Sequence, residues 1–413
     1  MRPPESPRRE LPREVYVLAA VAFAVAIGFG IVAPALPLFA RHFGVGARAA
    51  GAVVSVFAAM RFVSALGSGR LVDRLGERIV LGVGIIVVAV SSGLAGLSQS
   101  YTQLLVLRGI GGVGSAMFTV AAISLLLRVV RPDQRGRATG MWQGGFLLGG
   151  MAGPALGGLV TDRSLRAPFF IYAATLVVAG TLGLVFLART RLRDEDPQTG
   201  TTADAGTERL GTALRRPAYL GALLANLAVG WTLLGVRFSL VPLFVQDRLH
   251  GTASLTGAGL LVSAVAQGAL LLPAGRYADR VGRKPVLILG SVLGGISMVL
   301  LAANETRPAF FVAMAVYGAG ASCLSVAPAA IVGDIAGARR GTLVAAFQMA
   351  SDLGAIVGPL VAGQLVDSVS YPAAFGVSAV VILVALIPAA IMRETRAVEP
   401  DVPPAAARPD AAA

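Results

Sequence analysis

Twelve apolar stretches, each 19 to 29 residues long, follow one another along this 413-residue chain and leave little room for anything else. They cover 15–39, 47–69, 79–98, 101–127, 138–160, 167–188, 217–245, 254–275, 286–304, 308–332, 341–366 and 371–392. At ~1.5 Å per residue even the shortest nearly crosses a ~30 Å hydrocarbon layer. A backbone facing lipid must satisfy its own hydrogen bonds, and these runs lack the alternation of barrel strands, so helices are expected. Only 14% of the residues are charged, against roughly 25% in an ordinary soluble chain. A soluble enzyme with one interior could not bury so many runs of this length, which excludes that class.

The formal charge of +13 does not point to nucleic acid, because the basic residues fall in short loops and tails and not on one polar domain. It sets the direction of insertion instead. The N-tail, the loops after spans 2, 4, 6, 8 and 10 and the C-tail hold 26 Lys and Arg; the opposite loops hold 6. Both termini are therefore expected in the cytoplasm of a multi-pass plasma-membrane protein. The first span is too long, and lacks a small-residue cleavage site, to be a removed signal peptide. The single cysteine, Cys323, lies within a span, so neither a disulfide nor a cysteine metal cluster is expected, and no cofactor.

The two halves repeat in sequence. Gly69-Arg-Leu-Val-Asp73-Arg74-Leu-Gly76 recurs as Gly275-Arg-Tyr-Ala-Asp279-Arg280-Val-Gly282 at an offset of 206. Pro37-Leu38-Phe39 recurs as Pro242-Leu243-Phe244, Gly153-Pro154 as Gly358-Pro359, and Gln143 as Gln348, all at 205. One register kept across four places implies duplication, with both copies inserted the same way. The expected fold is an all-α membrane protein of 12 transmembrane helices in two pseudo-symmetric six-helix bundles, acting as a monomer. Its parts are an N-tail over 1–14, a bundle over 15–188, a cytoplasmic linker over 189–216, a second bundle over 217–392 and a disordered C-tail over 393–413. Two bundles with little outside the bilayer can rock against each other about a central site, which is the mechanics of a transporter.

Three motifs add detail. In GRLVDRLGER and GRYADRVGRK, read as loops, glycine lets helix ends approach, Asp can accept bonds at a helix N-terminus and Arg can bind C-terminal carbonyls. Gly69, Asp73, Arg74, Gly76 and Arg78, with Gly275, Asp279, Arg280, Gly282 and Arg283, then form a cytoplasmic latch. Residues 104–116, LLVLRGIGGVGSA, set Arg108 beside a glycine run. In GGMAGPALGG, residues 149–158, the glycines Gly149, Gly153 and Gly157 share one helix face, with Pro154 and Gly158 beside them, a face suited to close packing.

On these residues the chain resembles the major facilitator superfamily of secondary transporters over about positions 15–392, and within it the 12-helix drug:proton antiporter branch. The repeated loop resembles motif A, which implies that Asp73, Arg74, Asp279 and Arg280 help lock an outward-facing state; Glu77 departs from the pattern, where a basic residue is usual. Residues 104–116 resemble motif B, which implies a role for Arg108 in proton coupling, and GGMAGPALGG resembles motif C, associated with export. Gly30, Pro34 and Pro37 resemble the helix 1 pattern of such exporters, although Val25 stands where tetracycline-exporter-like members carry an acid.

Arg61, Arg108, Arg237 and Asp352 are the charges lying well inside spans. Each would cost about 2.5–3.5 kcal/mol or more facing lipid, so each is expected to meet a partner or a wet cavity. Arg61 and Asp352 lie at similar depth from the cytoplasmic side, ~12 and ~16 Å; the resemblance implies that helices 2 and 11 face one another across the bundle boundary, and together these predict an ion pair that breaks or shifts as the bundles rock. Asp352 then serves either as a titrating proton carrier or as an ionised latch. The resemblance implies that the helices carrying Arg108 and Arg237 face the central cavity, where both would favour anionic groups, with Met117, Phe118, Trp231 and Tyr317 along its wall. Both histidines, His42 and His250, lie in outer loops, with no nucleophile and base or set of metal ligands evident, so an enzyme is not expected. The leading expectation is proton-coupled efflux of a small, partly apolar, drug- or antibiotic-like compound. The alternatives are uptake or facilitated passage of an organic anion, and a non-transporting receptor or scaffold.

Overall fold

The computed structural model describes residues 11–131, 134–187, 210–336 and 341–395. The expectations for residues 1–10, for the linker as far as 209 and for the tail beyond 395 lie outside the described residues. Helices account for every regular element described. Eleven are long and apolar enough to cross a bilayer: α1 Arg13–Arg41, α2 Ala47–Leu75, α3 Glu77–Gly96, α4 Tyr101–Val129 and α5 Arg135–Arg163, then α7 Pro217–Asp247, α8 Ala253–Arg280, α9 Arg283–Ala303, α10 Arg307–Ala336, α11 Gly341–Ser368 and α12 Tyr371–Ile391. The sequence predicts a twelfth span at 167–188. The helix there, α6 Ala167–Leu187, is apolar, and the part that counts toward a crossing, Ala167–Gly183, is shorter than in the others.

Side chains such as Leu66 (82% exposed), Leu272 (71%) and Ile391 (71%) stand on the outside, an apolar surface that suits lipid and not water. Three helices start where a serine hydroxyl can accept a first-turn amide: Ser100 from Gln103, Ser164 from Ala167 and Ser370 from Ala373. The helix ends correct the sequence reading. Motif A is not a loop, because nothing between Gly69 and Leu75 breaks a helix, and α2 continues two turns beyond its apolar run. The turn falls on Gly76 alone, at φ 83°, and in the second half on Gly282, at φ 133°, a backbone that a β-carbon disfavours. Hence Asp73, Arg74, Asp279 and Arg280 ride on the last turns of α2 and α8.

The repeat is visible in packing. Within the first half α1 lies on α5, α2 on α4 and α3 on α4; within the second, α7 lies on α11, α8 on α10 and α9 on α10. Phe39 packs on Phe169 at 5.2 Å, and the repeat-related Phe244 packs on Phe375 at 5.1 Å. α1 breaks at Pro34, between Arg13–Val32 and Ala35–Arg41. At the matching level α7 widens into a π-helix over Trp231–Leu240, a geometry that often marks a functional bend. Across the halves, α2 packs on α11 and α5 on α8.

Candidate functional site

The seam between the halves has two unlike ends: the terminal end, where α1 begins and α12 finishes, and the far end, where α2 and α8 begin. The far end is closed by backbone contact. A β-carbon at Gly51 of α2 would lie 2.9 Å from the Pro359 carbonyl carbon of α11, and one at Gly257 of α8 would lie 2.6 Å from the Pro154 carbonyl oxygen of α5. These two crossings are equivalent under the repeat. Arg41 at the end of α1 and Asp247 at the end of α7, themselves repeat-equivalent, meet at 3.1 Å, and the Tyr371 hydroxyl donates to the same carboxylate at 2.6 Å. Contact between equivalent positions is what a two-fold axis between the halves requires.

GGMAGPALGG serves both kinds of packing. Gly149, Gly153 and Gly157 face α1, where a β-carbon would lie 2.6 Å from the carbonyl oxygens of Phe23 and Ile27 and 2.8 Å from the Ile31 Cα, respectively. Gly158 and the Pro154 carbonyl turn instead toward α8 in the other half, while the Pro154 ring lies against Gly30 of α1. One short motif thus builds its own half and closes the seam.

Midway down the seam Arg61 Nη2 lies 3.3 Å from Asp352 Oδ1, joining α2 to α11. These are the two helices the sequence reading paired. A single nitrogen makes the contact, and 44% of the Arg61 side chain is exposed, so the pair is worth no more than about 0–1 kcal/mol and is readily broken. Around and below this level, polar side chains stand exposed within the helices: Gln143, Gln348 and Ser325, the last bonded by Gln267 at 3.3 Å. Polar groups so placed are disfavoured against lipid. At that end Gly69 and Gly275 have nothing, among the described residues, within 4 Å of a built β-carbon.

The other predicted residues sit elsewhere than expected. Arg108 and Arg237 do not face an open cavity: they are 2% and 6% exposed. The Arg108 guanidinium lies 4.3 Å from the centre of the Phe57 ring, and Arg237 donates to the Leu260 carbonyl at 3.2 Å and lies 5.5 Å from the Phe238 ring centre. Phe57 stacks on Phe29 at 6.2 Å and Phe29 meets Phe238 at 5.8 Å, so a strip of rings joins the two arginines across the seam. Phe118, Trp231 and Tyr317 are also enclosed. Phe118 packs on Trp142 at 5.9 Å, Trp231 donates to the Ser378 hydroxyl at 3.0 Å and Tyr317 to that of Thr232 at 3.1 Å. Met117 is half-buried, its Cβ beside Gly84 of α3. The reason is common to all: these side chains hold the helices of one half together in this conformation.

Motif A differs between its copies. In the second, Arg283 Nη1 donates to Asp279 and to the Ala278 carbonyl, both at 2.6 Å, and Nε to Asp334 of α10 at 3.4 Å. In the first, Asp73 is exposed and makes no ion pair among the described residues, Arg74 is exposed and Arg78 half-buried. Glu77, the departure from the pattern, is 7% exposed and takes Arg128 of α4 at 2.9 and 3.1 Å. That tie was missed by sequence reasoning, as was the Arg41–Asp247 pair; extending the repeat register to every charged residue would have exposed the latter. Among the described residues no group of three or more His, Cys, Asp or Glu is placed to hold a metal.

Comparison with known proteins agrees with this geometry. The sequence pattern of the Major Facilitator Superfamily matches residues 18–263 and 238–412. Multidrug resistance protein 1 of Bacillus subtilis (strain 168) is 26% identical over 376 residues, 90% of this chain and 94% of that protein. Quinolone resistance protein NorA of Staphylococcus aureus (strain COL) is 24% identical over 364 residues, 86% and 90% of the two chains. In fold, the chain is similar to a bacterial homologue of the human lysosomal transporter Spinster (TM-score 0.71, 15% identity, 92% and 96% covered). It is also similar to a point mutant of the nucleoside transporter NupG (TM-score 0.70, 16% identity, 92% and 100% covered). The chain belongs to the Major Facilitator Superfamily: it is a multi-span, all-α membrane transporter of a small organic solute, not an enzyme.

Proposed function

We propose that the chain exports a small, partly apolar compound, drug- or antibiotic-like, in exchange for protons across the plasma membrane. It does so by rocking two six-helix bundles, 15–188 and 217–392, of which α6 supplies the twelfth span. The loop charge asymmetry assigns the terminal end to the cytoplasm, so the conformation described is open inward and closed outward. The observation that carries this reading is the seam: small-residue crossings at one end, exposed polar side chains and glycines without a described neighbour at the other, and a weak Arg61–Asp352 pair between. An exporter must load its solute from the cytoplasmic side, and the uncrossed end offers the route. Motif C at the outer crossing and the resistance proteins among the relatives support export over uptake.

Two measurements test it. Cells lacking the gene should become several-fold more susceptible to particular apolar antibiotics, and proteoliposomes should move those compounds against an inward proton gradient. Asp352→Asn should abolish gradient-driven flux while leaving downhill exchange; gradient-driven flux that survives would remove Asp352 from coupling. A second reading, passage of an organic anion, is favoured by one observation: Arg108 and Arg237 are buried with no carboxylate partner among the described residues. It requires that an aryl carboxylate compete for flux better than its neutral amide, and that Arg237→Met erase the difference.

A further inference from the structure

We propose that Asp162 and Asp367 are paired positioning residues that hold the outer end shut, each capping from the opposite half a helix that has no cap of its own. This rests on the alternating-access reading above. The first amides of a helix have no partner inside it and are ordinarily met by the side chain just before. For α2 that residue is Gly46, which has no side chain, and for α8 it is Thr252, whose hydroxyl makes no such bond. The Asp367 carboxylate, at the end of α11, accepts from the amides of Ala47 at 2.7 Å and Arg48 at 2.8 Å. The Asp162 carboxylate, at the end of α5, accepts from the amide of Ser254 at 3.1 Å and from its hydroxyl.

The two arrangements are copies. Asp162 and Asp367 are 205 residues apart, as are Gly158 and Gly363 one turn earlier, which admit the partner helix. A β-carbon at Gly158 would lie 3.0 Å from the Ser254 Cα, and one at Gly363 would lie 2.7 Å from the Arg48 Cα. Negative charge at a helix N-terminus is favourable as well as bonded. A cap inside one half is indifferent to rocking, whereas a cap between halves is lost each time the outer end opens. These carboxylates therefore bias the equilibrium toward the inward-open state, and do so equally on both sides of the axis, so that the end opens as a unit.

The test uses the full chain in liposomes with Cys323→Ser and spin labels at Gln99→Cys and Thr306→Cys, exposed positions in the outer loops of the two halves. Distances between the labels report the open and closed populations of the outer end. Asp162→Ala and Asp367→Ala should each raise the open-to-closed ratio about fivefold, and the double variant about twenty-five-fold. Asp162→Asn should stay within about twofold of the parent, since a single oxygen accepts from both the Ser254 amide and its hydroxyl and an amide oxygen caps as well. Asp367→Asn, which keeps one acceptor where the carboxylate uses both oxygens, should fall between the parent and the alanine variant. Gly158→Val, which wedges the same crossing without touching a carboxylate, should also favour the open form and serves where an alanine variant does not fold.

A distance distribution unchanged in the double alanine variant overturns the proposal, as does an Asp162→Asn effect equal to that of Asp162→Ala. If the parent itself shows two outer distances, an unchanged double variant leaves alternating access standing. One distance in the parent, unmoved by every variant, removes both.

Discussion

At its far end α2 meets α11 so closely that a β-carbon at Gly51 would lie 2.9 Å from the Pro359 carbonyl carbon, whereas eighteen residues further on, at Gly69, nothing among the described residues comes within 4 Å. The same helix thus carries glycine for contact at one end and glycine beside open space at the other. A glycine inside a helix is less favourable than alanine by roughly 0.5–1 kcal/mol, and no described contact at a β-carbon position offsets that at Gly69 in this conformation. The proposed alternating access includes a second conformation in which the terminal ends close, and the missing contact at Gly69 is expected there. Asp73, exposed and outside any ion pair among the described residues, lies one turn further along and fits the same account.

Leucine substitutions at the two glycines give the largest contrast. Gly51→Leu should lose about 1–3 kcal/mol of stability by overpacking, read as a lowered midpoint of thermal unfolding in detergent. Gly69→Leu should leave that midpoint nearly unchanged yet reduce solute flux at least tenfold, because the side chain obstructs closure of the terminal end. Equal losses of stability at both sites would erase the distinction between a filled and a vacant crossing.

Next in size is the middle of the seam. Arg61→Ala and Asp352→Ala should each change stability by no more than about 1 kcal/mol, with a coupling between them of the same order, because the pair is single-contact and exposed. A double-mutant cycle in thermal unfolding measures this. Coupling well above that would mean a drier pair than the geometry describes. The smallest effect is expected at the rim of the far end, where Arg41 and Asp247 have side chains about one third exposed. Arg41→Gln should cost at most about 0.5–1 kcal/mol, and less as salt is raised, since exposed charges are screened.

Much of this architecture was legible before any coordinates. Apolar length located the helices, the repeat paired the halves, and comparable depth brought Arg61 to Asp352. Other features were not. The span ends at the terminal side fell short because hydropathy stops at Gly69 while helical hydrogen bonding continues to Leu75. Arg108 and Arg237 were expected in water because a charge in a span suggests a cavity; ring faces and a carbonyl met them instead. Glu77 stands where the motif A pattern has a basic residue, and its partner, Arg128, is on a helix of the same half and not across the seam.

Taken alone, the chain's order of residues settles what is local or periodic: which segments enter lipid, which side carries the positive loops and where one half repeats the other. Those properties follow from transfer free energies and register, and need no knowledge of distant neighbours. The tertiary arrangement decides which groups separated by roughly 200 to 320 residues touch: Arg41 with Asp247, Asp367 with the start of α2, Arg61 with Asp352. Such contacts depend on how far one half has turned against the other, a rigid-body coordinate set by the whole packed interface and not by any stretch of sequence.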